Sequence, residues 1–110
     1  MAKDKTLAAI SFFRERLLAD NVSVSKIVLF GPRARGKADL ESDIDIVLIS
    51  KGFRGKNIFK RIEITKDAEV ATIKKFMLPM DIITMPPEEF ASGNSLVSEF
   101  AKKGKVLFAA

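Results

Sequence analysis

The sequence predicts a small α/β (α+β) fold in which helices cover a β-sheet mainly on one face. Short apolar runs rich in β-branched residues alternate with longer segments whose apolar residues recur at helical spacing. Hydrophobic residues make up 47% of the 110 residues, which is enough for a modest core and too many for a disordered chain. No repeat, linker or low-complexity tract divides the sequence, so we expect one domain over residues 1–110.

The first half of the chain predicts one helix and two strands. Apolar residues at helical spacing favour a helix over residues 4–19. The short run at 26–30 is β-branched and stops at a Gly-Pro pair, which is typical of a strand. Residues 31–42 are polar and rich in Gly, Arg and Lys, and predict a loop with a short helical turn. Residues 43–50 give the strongest strand pattern, alternating at first and then continuously apolar.

The second half predicts two further helices and two further strands. A loop is expected over 52–55, and residues 58–76 fit a helix imperfectly. A third strand is expected over 80–84. Prolines and carboxylates at 86–89 are typical of the first turn of a helix. Residues 105–108 predict a last edge strand.

The composition excludes several kinds of chemistry. The absence of Cys excludes disulfides, thiolate nucleophiles and cysteine-based zinc sites. The absence of His excludes Ser-His-Asp triads and imidazole bases. Carboxylates, Lys, Arg, hydroxyls and cations with oxygen ligands, such as Mg²⁺, remain available.

Charge and hydropathy indicate where the protein works. The formal charge of +5 is typical of a solvated basic surface, and basic residues do not interleave with aromatic ones as in a nucleic-acid interface. No apolar run reaches the ~20 residues that a membrane-spanning helix needs, and the N-terminus does not resemble a signal peptide. We therefore expect a cytoplasmic protein with neither a membrane nor a nucleic acid as partner.

Three aspartates are the candidate metal ligands and catalytic residues. Residues two apart on a strand point to the same side, so Asp43 and Asp45 share one patch while Ile44 points into the core. Asp81 opens a later strand and joins them if the two strands are neighbours. Three carboxylates can hold two Mg²⁺ about 3.5–4 Å apart, the arrangement used in phosphoryl and nucleotidyl transfer. Each aspartate alone is also typical of a solvated strand face.

A basic turn lies beside this acidic strand in the sequence. Gly31 and Gly36 allow backbone N–H groups to approach an anion closely. Arg33, Arg35 and Lys37 add positive charge where a triphosphate would lie, and arginine binds phosphate oxygens in a bidentate fork. The same turn without the aspartates would be an ordinary surface loop.

Together these residues resemble a known signature. Gly31-Pro32, ten intervening residues and then Asp43-Ile44-Asp45 is similar to the Gly-Ser-x10-Asp-x-Asp signature of the nucleotidyltransferase superfamily that includes DNA polymerase beta. Residues 33–36 with 42–45 resemble the minimal nucleotidyltransferases of bacteria and archaea more narrowly. Residues 79–90 match the place where that family has its third aspartate strand and the following helix.

This resemblance implies a nucleotidyltransferase fold, with a small mixed sheet, and a role for each motif residue. Asp43 and Asp45 would bind two Mg²⁺ ions, and Asp81 would bind one of them and orient the attacking hydroxyl. Ser42 would fix the loop at the entrance of the strand. The residues implied to hold the phosphates of ATP or another nucleoside triphosphate are Gly31, Pro32, Arg33, Arg35, Gly36 and Ser42.

The resemblance also implies a partner. Many minimal nucleotidyltransferases are antitoxins of a HEPN-domain ribonuclease toxin, and some transfer AMP from ATP to a tyrosine of that toxin. The expected activity is thus Mg²⁺-dependent transfer of a nucleoside monophosphate to a protein hydroxyl, in a homo- or hetero-oligomer.

One departure from the signature keeps a second function open. Pro32 stands where the family has Ser, and proline offers neither a hydroxyl nor an N–H to a phosphate. The alternative is a catalytically weak or inactive antitoxin that neutralises its partner by forming a complex. Apolar residues near the C-terminus would be core or a docking patch for such a partner: Leu96, Val97, Phe100, Val106, Leu107 and Phe108.

Overall fold

The structure, a computed structural model, describes residues 5–36, 43–92 and 103–109. Its strands are β1 (Lys26–Phe30), β2 (Ile44–Ile49), β3 (Met80–Met85) and β4 (Lys105–Ala109). Its α-helices are α1 (Thr6–Ala19), α2 (Gly31–Ala34), α3 (Ile58–Phe76) and α4 (Pro87–Ser92), and a 3₁₀ turn covers Lys51–Phe53. Of the sequence-derived candidates, Lys37, Ser42, Leu96, Val97 and Phe100 lie outside the described residues.

The four strands form one mixed sheet in the order β3-β2-β1-β4. β1 pairs antiparallel with β2 and with β4, whereas β2 and β3 are parallel. A parallel pair needs a crossover connection, and α3 provides it between β2 and β3. The predicted edge strand at 105–108 is confirmed as β4.

Two apolar clusters lie on opposite faces of the sheet, because side chains along a strand alternate between its faces. Ile44, Ile46 and Leu48 belong to the larger cluster, which α1 and α3 cover. Val47 and Ile49 belong to a smaller cluster, against which Phe90 of α4 packs. Helices mainly on one face are what the sequence predicts, and the fold class is confirmed.

The residues on the buried side of the crossover helix α3 explain why its sequence fits a helical pattern imperfectly. Its most buried residues are Thr65, Ala68 and Thr72, which contribute little apolar surface to the pattern. The Thr72 hydroxyl donates to the Ala68 carbonyl at 2.7 Å, one turn earlier in the helix. Asn57 caps the N-terminus by accepting from the Lys60 N–H at 3.0 Å, and Met77 ends the helix in a left-handed conformation. The helix over 58–76 is confirmed.

Arg61 fixes the start of α3 against the sheet. Its guanidinium donates to the carbonyls of Lys56 (2.8 Å), Thr84 (3.2 Å) and Phe53 (3.2 Å). Phe53 is fully buried, so the loop predicted over 52–55 begins instead as a 3₁₀ turn that is anchored in the core. The sequence pattern missed this turn because a single buried aromatic residue has no periodicity.

The C-terminal strand β4 shows which of its apolar residues belong to the core and which are exposed. Leu107 and Phe108 pack against the larger cluster, whereas Val106 is 52% exposed. Other large apolar side chains are exposed on α3, with Ile58 at 57%, Phe59 at 73% and Ile62 at 51%. No helix in the described part of the chain is long and apolar enough to cross a membrane.

Two phenylalanines on helices test this distribution of the core. Phe13 of α1 is fully buried, whereas Phe59 of α3 is 73% exposed. We expect Phe13→Ala to lower the free energy of unfolding by about 3–5 kcal/mol, because it leaves a cavity. Phe59→Ala, the matched control, should change it by less than about 0.5 kcal/mol. Urea denaturation measures both, and equal effects would contradict the packing described.

Candidate active site

Two of the three candidate aspartates lie side by side because β2 and β3 are parallel neighbours. Asp45 and Asp81 are register partners across this pair of strands. Ile44, Ile46 and Ile82 alternate with them and pack into or against the larger cluster, so the two aspartates lie on the face opposite α1 and α3. Adjacent strands are about 4.8 Å apart, which brings two carboxylates into strong electrostatic interaction.

The electrostatics of the site are those of crowded carboxylates. Asp43 immediately precedes β2 and is exposed. The pKa of Asp45 is raised above its ordinary value, first by burial and then by the charges of Asp81 and Asp43, while the nearby charge of Arg33 acts in the opposite direction. The like charges around Asp45 make a patch that favours a bound cation.

Glu69 is a further carboxylate whose charge interacts with that of Asp81, although α3 packs on the opposite face of the sheet. It lies on α3 and is partly buried, and its pKa is raised by burial and then by the charge of Asp81. No local pattern in the sequence indicates this interaction, because Glu69 belongs to no motif.

Gly31 allows the backbone after β1 to approach Asp45. Its φ is +73°, a left-handed conformation that favours glycine, and a Cβ built on it would lie closer than 3.0 Å to Asp45 Oδ2. Phe30, the residue before it, is the register partner of Asp45 in the antiparallel pair. The basic turn and the acidic strand are thus in direct contact at this glycine.

Pro32 is compatible with the turn that follows. It lies in the first turn of α2, where a helix does not use the backbone N–H that proline lacks. Its carbonyl accepts from the Arg35 N–H at 3.1 Å, and the Arg33 carbonyl accepts from the Gly36 N–H at 3.4 Å. Gly36 is also left-handed, with a φ of +67°. The turn is kept, although the serine of the signature is not.

The structure separates the two arginines of the turn. Arg35 is exposed, so its side chain is accessible to a phosphate group that approaches from solvent. Arg33 is only 8% exposed, and its Nη1 donates to Thr6 Oγ1 of α1 at 2.9 Å. The sequence pattern treated both as phosphate ligands because nothing near Arg33 in the chain indicates burial. Their roles in binding phosphate stay predictions.

The residues fit a hard divalent cation by chemistry and adjacency. Asp43, Asp45 and Asp81 offer only carboxylate oxygens, the ligands that Mg²⁺ prefers. Burial is the first cause of the raised pKa of Asp45, and repulsion by Asp81 and Asp43, which a cation would relieve, is the second. Within residues 5–36, 43–92 and 103–109, however, no three acidic side chains are grouped closely enough to hold a metal ion as they stand. The metal-binding role of the three aspartates therefore stays a prediction.

Known proteins resemble this chain in sequence and fold. Residues 10–107 match the family described as nucleotidyltransferase domain. A crystal structure of a candidate nucleotidyltransferase from Sulfolobus solfataricus has a TM-score of 0.59 and 22% identity, and covers 99% of this chain and 92% of that one. A toxin-antitoxin structure with AMP-PNP has a TM-score of 0.62 and 21% identity, and the match covers 89% of this chain and 72% of that one. A candidate minimal nucleotidyltransferase has a TM-score of 0.55 and 17% identity, and the match covers 93% of this chain and 94% of that one. No curated protein matches the chain.

Two glycines with the same backbone conformation test the contact between the turn and Asp45. Gly31 and Gly55 both have positive φ, but a Cβ on Gly55 would meet nothing within 4 Å. We expect Gly55→Ala to lower the free energy of unfolding by about 1–2 kcal/mol, which is the backbone cost alone. Gly31→Ala should cost at least about 1 kcal/mol more, because its methyl group displaces the Asp45 carboxylate.

The excess cost of Gly31→Ala should disappear when Asp45→Ala is combined with it. Chemical denaturation of the single and double variants measures this, with Gly55→Ala in the same background as control. An excess that persists without the carboxylate would show that Asp45 is not what Gly31 accommodates.

The crowded carboxylates also predict a pH dependence of stability. Because the pKa of Asp45 is raised in the folded state, its contribution to stability is fully present below the unfolded pKa and is lost as the pH rises through the folded pKa. At pH 7 without metal, Asp45→Asn should therefore unfold at a higher denaturant concentration than the wild type. The difference should vanish below about pH 4. An Asn variant that is less stable at pH 7 would contradict the raised pKa.

Proposed function

The chain belongs to the nucleotidyltransferase domain family, and we propose that it transfers AMP from ATP to a hydroxyl of a protein in an Mg²⁺-dependent reaction. The observation that carries this proposal is the register pair Asp45 and Asp81, with Gly31 of the basic turn against Asp45. This arrangement of carboxylates beside a basic turn supports the proposal, because a metal-bridged triphosphate requires groups for the metal ions next to groups for the phosphates.

Each residue has a proposed task. Asp43 and Asp45 would hold two Mg²⁺ ions, and Asp81 would hold one of them and orient the attacking hydroxyl. When bound, the ions would supply positive charge that stabilises the attacking and leaving oxygens. The turn from Gly31 to Gly36, which includes Pro32 and Arg35, would hold the β- and γ-phosphates, and Ser42 would support the loop. The hydroxyl oxygen bonds to the α-phosphorus as the bond from that phosphorus to the oxygen shared with the β-phosphorus breaks. Pyrophosphate leaves, and the hydroxyl proton is lost to solvent.

The proposed acceptor is a partner protein in the cytoplasm, a HEPN-domain ribonuclease toxin for which this chain is the antitoxin. Support comes from the likeness in fold to a toxin-antitoxin structure with AMP-PNP, together with the resemblance to minimal nucleotidyltransferases. Exposed apolar side chains on α3, from Ile58, Phe59 and Ile62, offer a surface on which a protein partner could dock.

A second candidate function is neutralisation by binding alone. Pro32 favours it, because the turn lacks the hydroxyl and N–H that the signature serine would offer to a phosphate. The exposed apolar side chains of α3 serve this function equally well, since complex formation needs a surface and no chemistry.

Transfer of label tests the enzymatic function. We expect the purified protein, with Mg²⁺, α-labelled ATP and its partner, to label the partner. Asp43→Ala/Asp45→Ala should abolish the labelling, because it removes two of the three proposed metal ligands. Asp67→Ala, on the exposed side of α3, is the control and should label normally. Labelling that persists in the double aspartate variant would overturn the proposal.

Restoring the signature serine separates the two functions. We expect Pro32→Ser to increase the rate of AMP transfer by roughly 10–100-fold, because a hydrogen bond to a charged phosphate is worth about 1.5–3 kcal/mol. The measurement is the initial rate of labelling, taken together with neutralisation of the toxin in cells. A faster transfer with unchanged neutralisation would favour the function by binding alone.

A further inference from the structure

Arg33 is a buried cation within the basic turn. It is 8% exposed, and Thr6, which accepts from its Nη1 at 2.9 Å, is 3% exposed. Arginine is almost never this buried unless it is paired, because removing its charge from water is costly. The two residues are 27 positions apart in the chain, so this hydrogen bond joins the turn to the start of α1.

The turn is short. α2 spans four residues, and at its end the Arg35 N–H donates to the Pro32 carbonyl and the Gly36 N–H donates to the Arg33 carbonyl. α1, by contrast, spans 14 residues and places Ile10, Phe13 and Leu17 in the larger apolar cluster. The hydrogen bond from the Arg33 guanidinium to the Thr6 hydroxyl therefore attaches the short turn to a long helix that is anchored in the core.

Arg33 also lies close enough to the acidic strand to influence it. Its charge acts on Asp45, the carboxylate that Gly31 touches. Its guanidinium is buried and bonds Thr6 of α1, whereas Arg35 is exposed. To reach a phosphate in solution, Arg33 would have to leave Thr6 and the interior.

We propose that Arg33 is a positioning residue: by bonding Thr6 it holds the turn from Gly31 to Gly36 against Asp45, so that nucleotide affinity depends on a threonine that never touches the nucleotide. This inference rests on the proposed function for its nucleotide, but the attachment of the turn can be measured without one.

The experiment removes the acceptor and leaves Arg33 in place. Thr6→Val keeps the shape of the side chain and loses the hydroxyl, and Thr6→Ser keeps the hydroxyl. Thr72→Val is the matched control, because it removes another buried threonine hydroxyl that bonds only within α3 among the hydrogen bonds described. Two quantities are measured: hydrogen exchange of the Arg35 and Gly36 amides by NMR, and the Kd of AMP-PNP with Mg²⁺ by calorimetry.

We expect Thr6→Val to speed exchange at both amides and to weaken AMP-PNP binding by at least about fivefold. Thr6→Ser should restore both, and Thr72→Val should leave both near the wild type. Arg33→Lys should weaken binding as well, and adding Thr6→Val to it should cause little further loss, because both substitutions disrupt the hydrogen bond between Arg33 and Thr6. In turnover assays the loss should fall mainly on the KM for ATP.

Unchanged exchange and unchanged affinity in folded Thr6→Val would overturn the proposal. Additive losses in Thr6→Val/Arg33→Lys would also overturn it, since Arg33 and Thr6 would then act independently of each other. If Thr6→Val does not fold, Arg33→Lys and Thr6→Ser decide by the same two measurements. If the wild type binds no AMP-PNP, the proposed function fails, and the exchange rates still decide whether Arg33 holds the turn.

Discussion

The parallel pairing of β2 with β3 is the constraint on which the rest of this structure depends. It requires a crossover, which α3 supplies over the larger apolar cluster, and it makes Asp45 and Asp81 neighbours in register. An antiparallel strand beside β2 could also place a carboxylate next to Asp45, but a short hairpin would then connect the two strands and no crossover helix would be required. The same helix carries Glu69, whose charge interacts with that of Asp81.

The turn after β1 brings positive charge and a glycine backbone next to these carboxylates. The strand β1 delivers Gly31 against Asp45, and only a residue without a Cβ fits there. The turn that begins at Gly31 contains one interior arginine and one exterior arginine, Arg33 and Arg35. The chain therefore opposes the repulsion among its carboxylates partly with its own cation, and a bound divalent ion would oppose the remainder.

Local sequence patterns predicted most of the fold, but they did not predict which individual side chains are buried. β1 was readable because a β-branched run ends at a Gly-Pro pair, and the motif aspartates were readable from their spacing on a strand. The nucleotidyltransferase fold implied by those motifs is confirmed. α3 was harder to recognise, because Thr65 and Thr72 lie on its buried side. The difference between Arg33 and Arg35 could not be predicted, since it depends on Thr6, far away in the sequence.

The position of β3 at the rim of the sheet has a consequence for the size of the second substrate. Asp45 belongs to an inner strand, flanked by β1 and β3, while Asp81 belongs to an outermost strand and is exposed. In the proposed reaction, the hydroxyl that Asp81 orients would therefore be received at an exposed edge of the described sheet. A hydroxyl on the surface of a folded macromolecule suits such a position, so the second substrate need not be a small molecule.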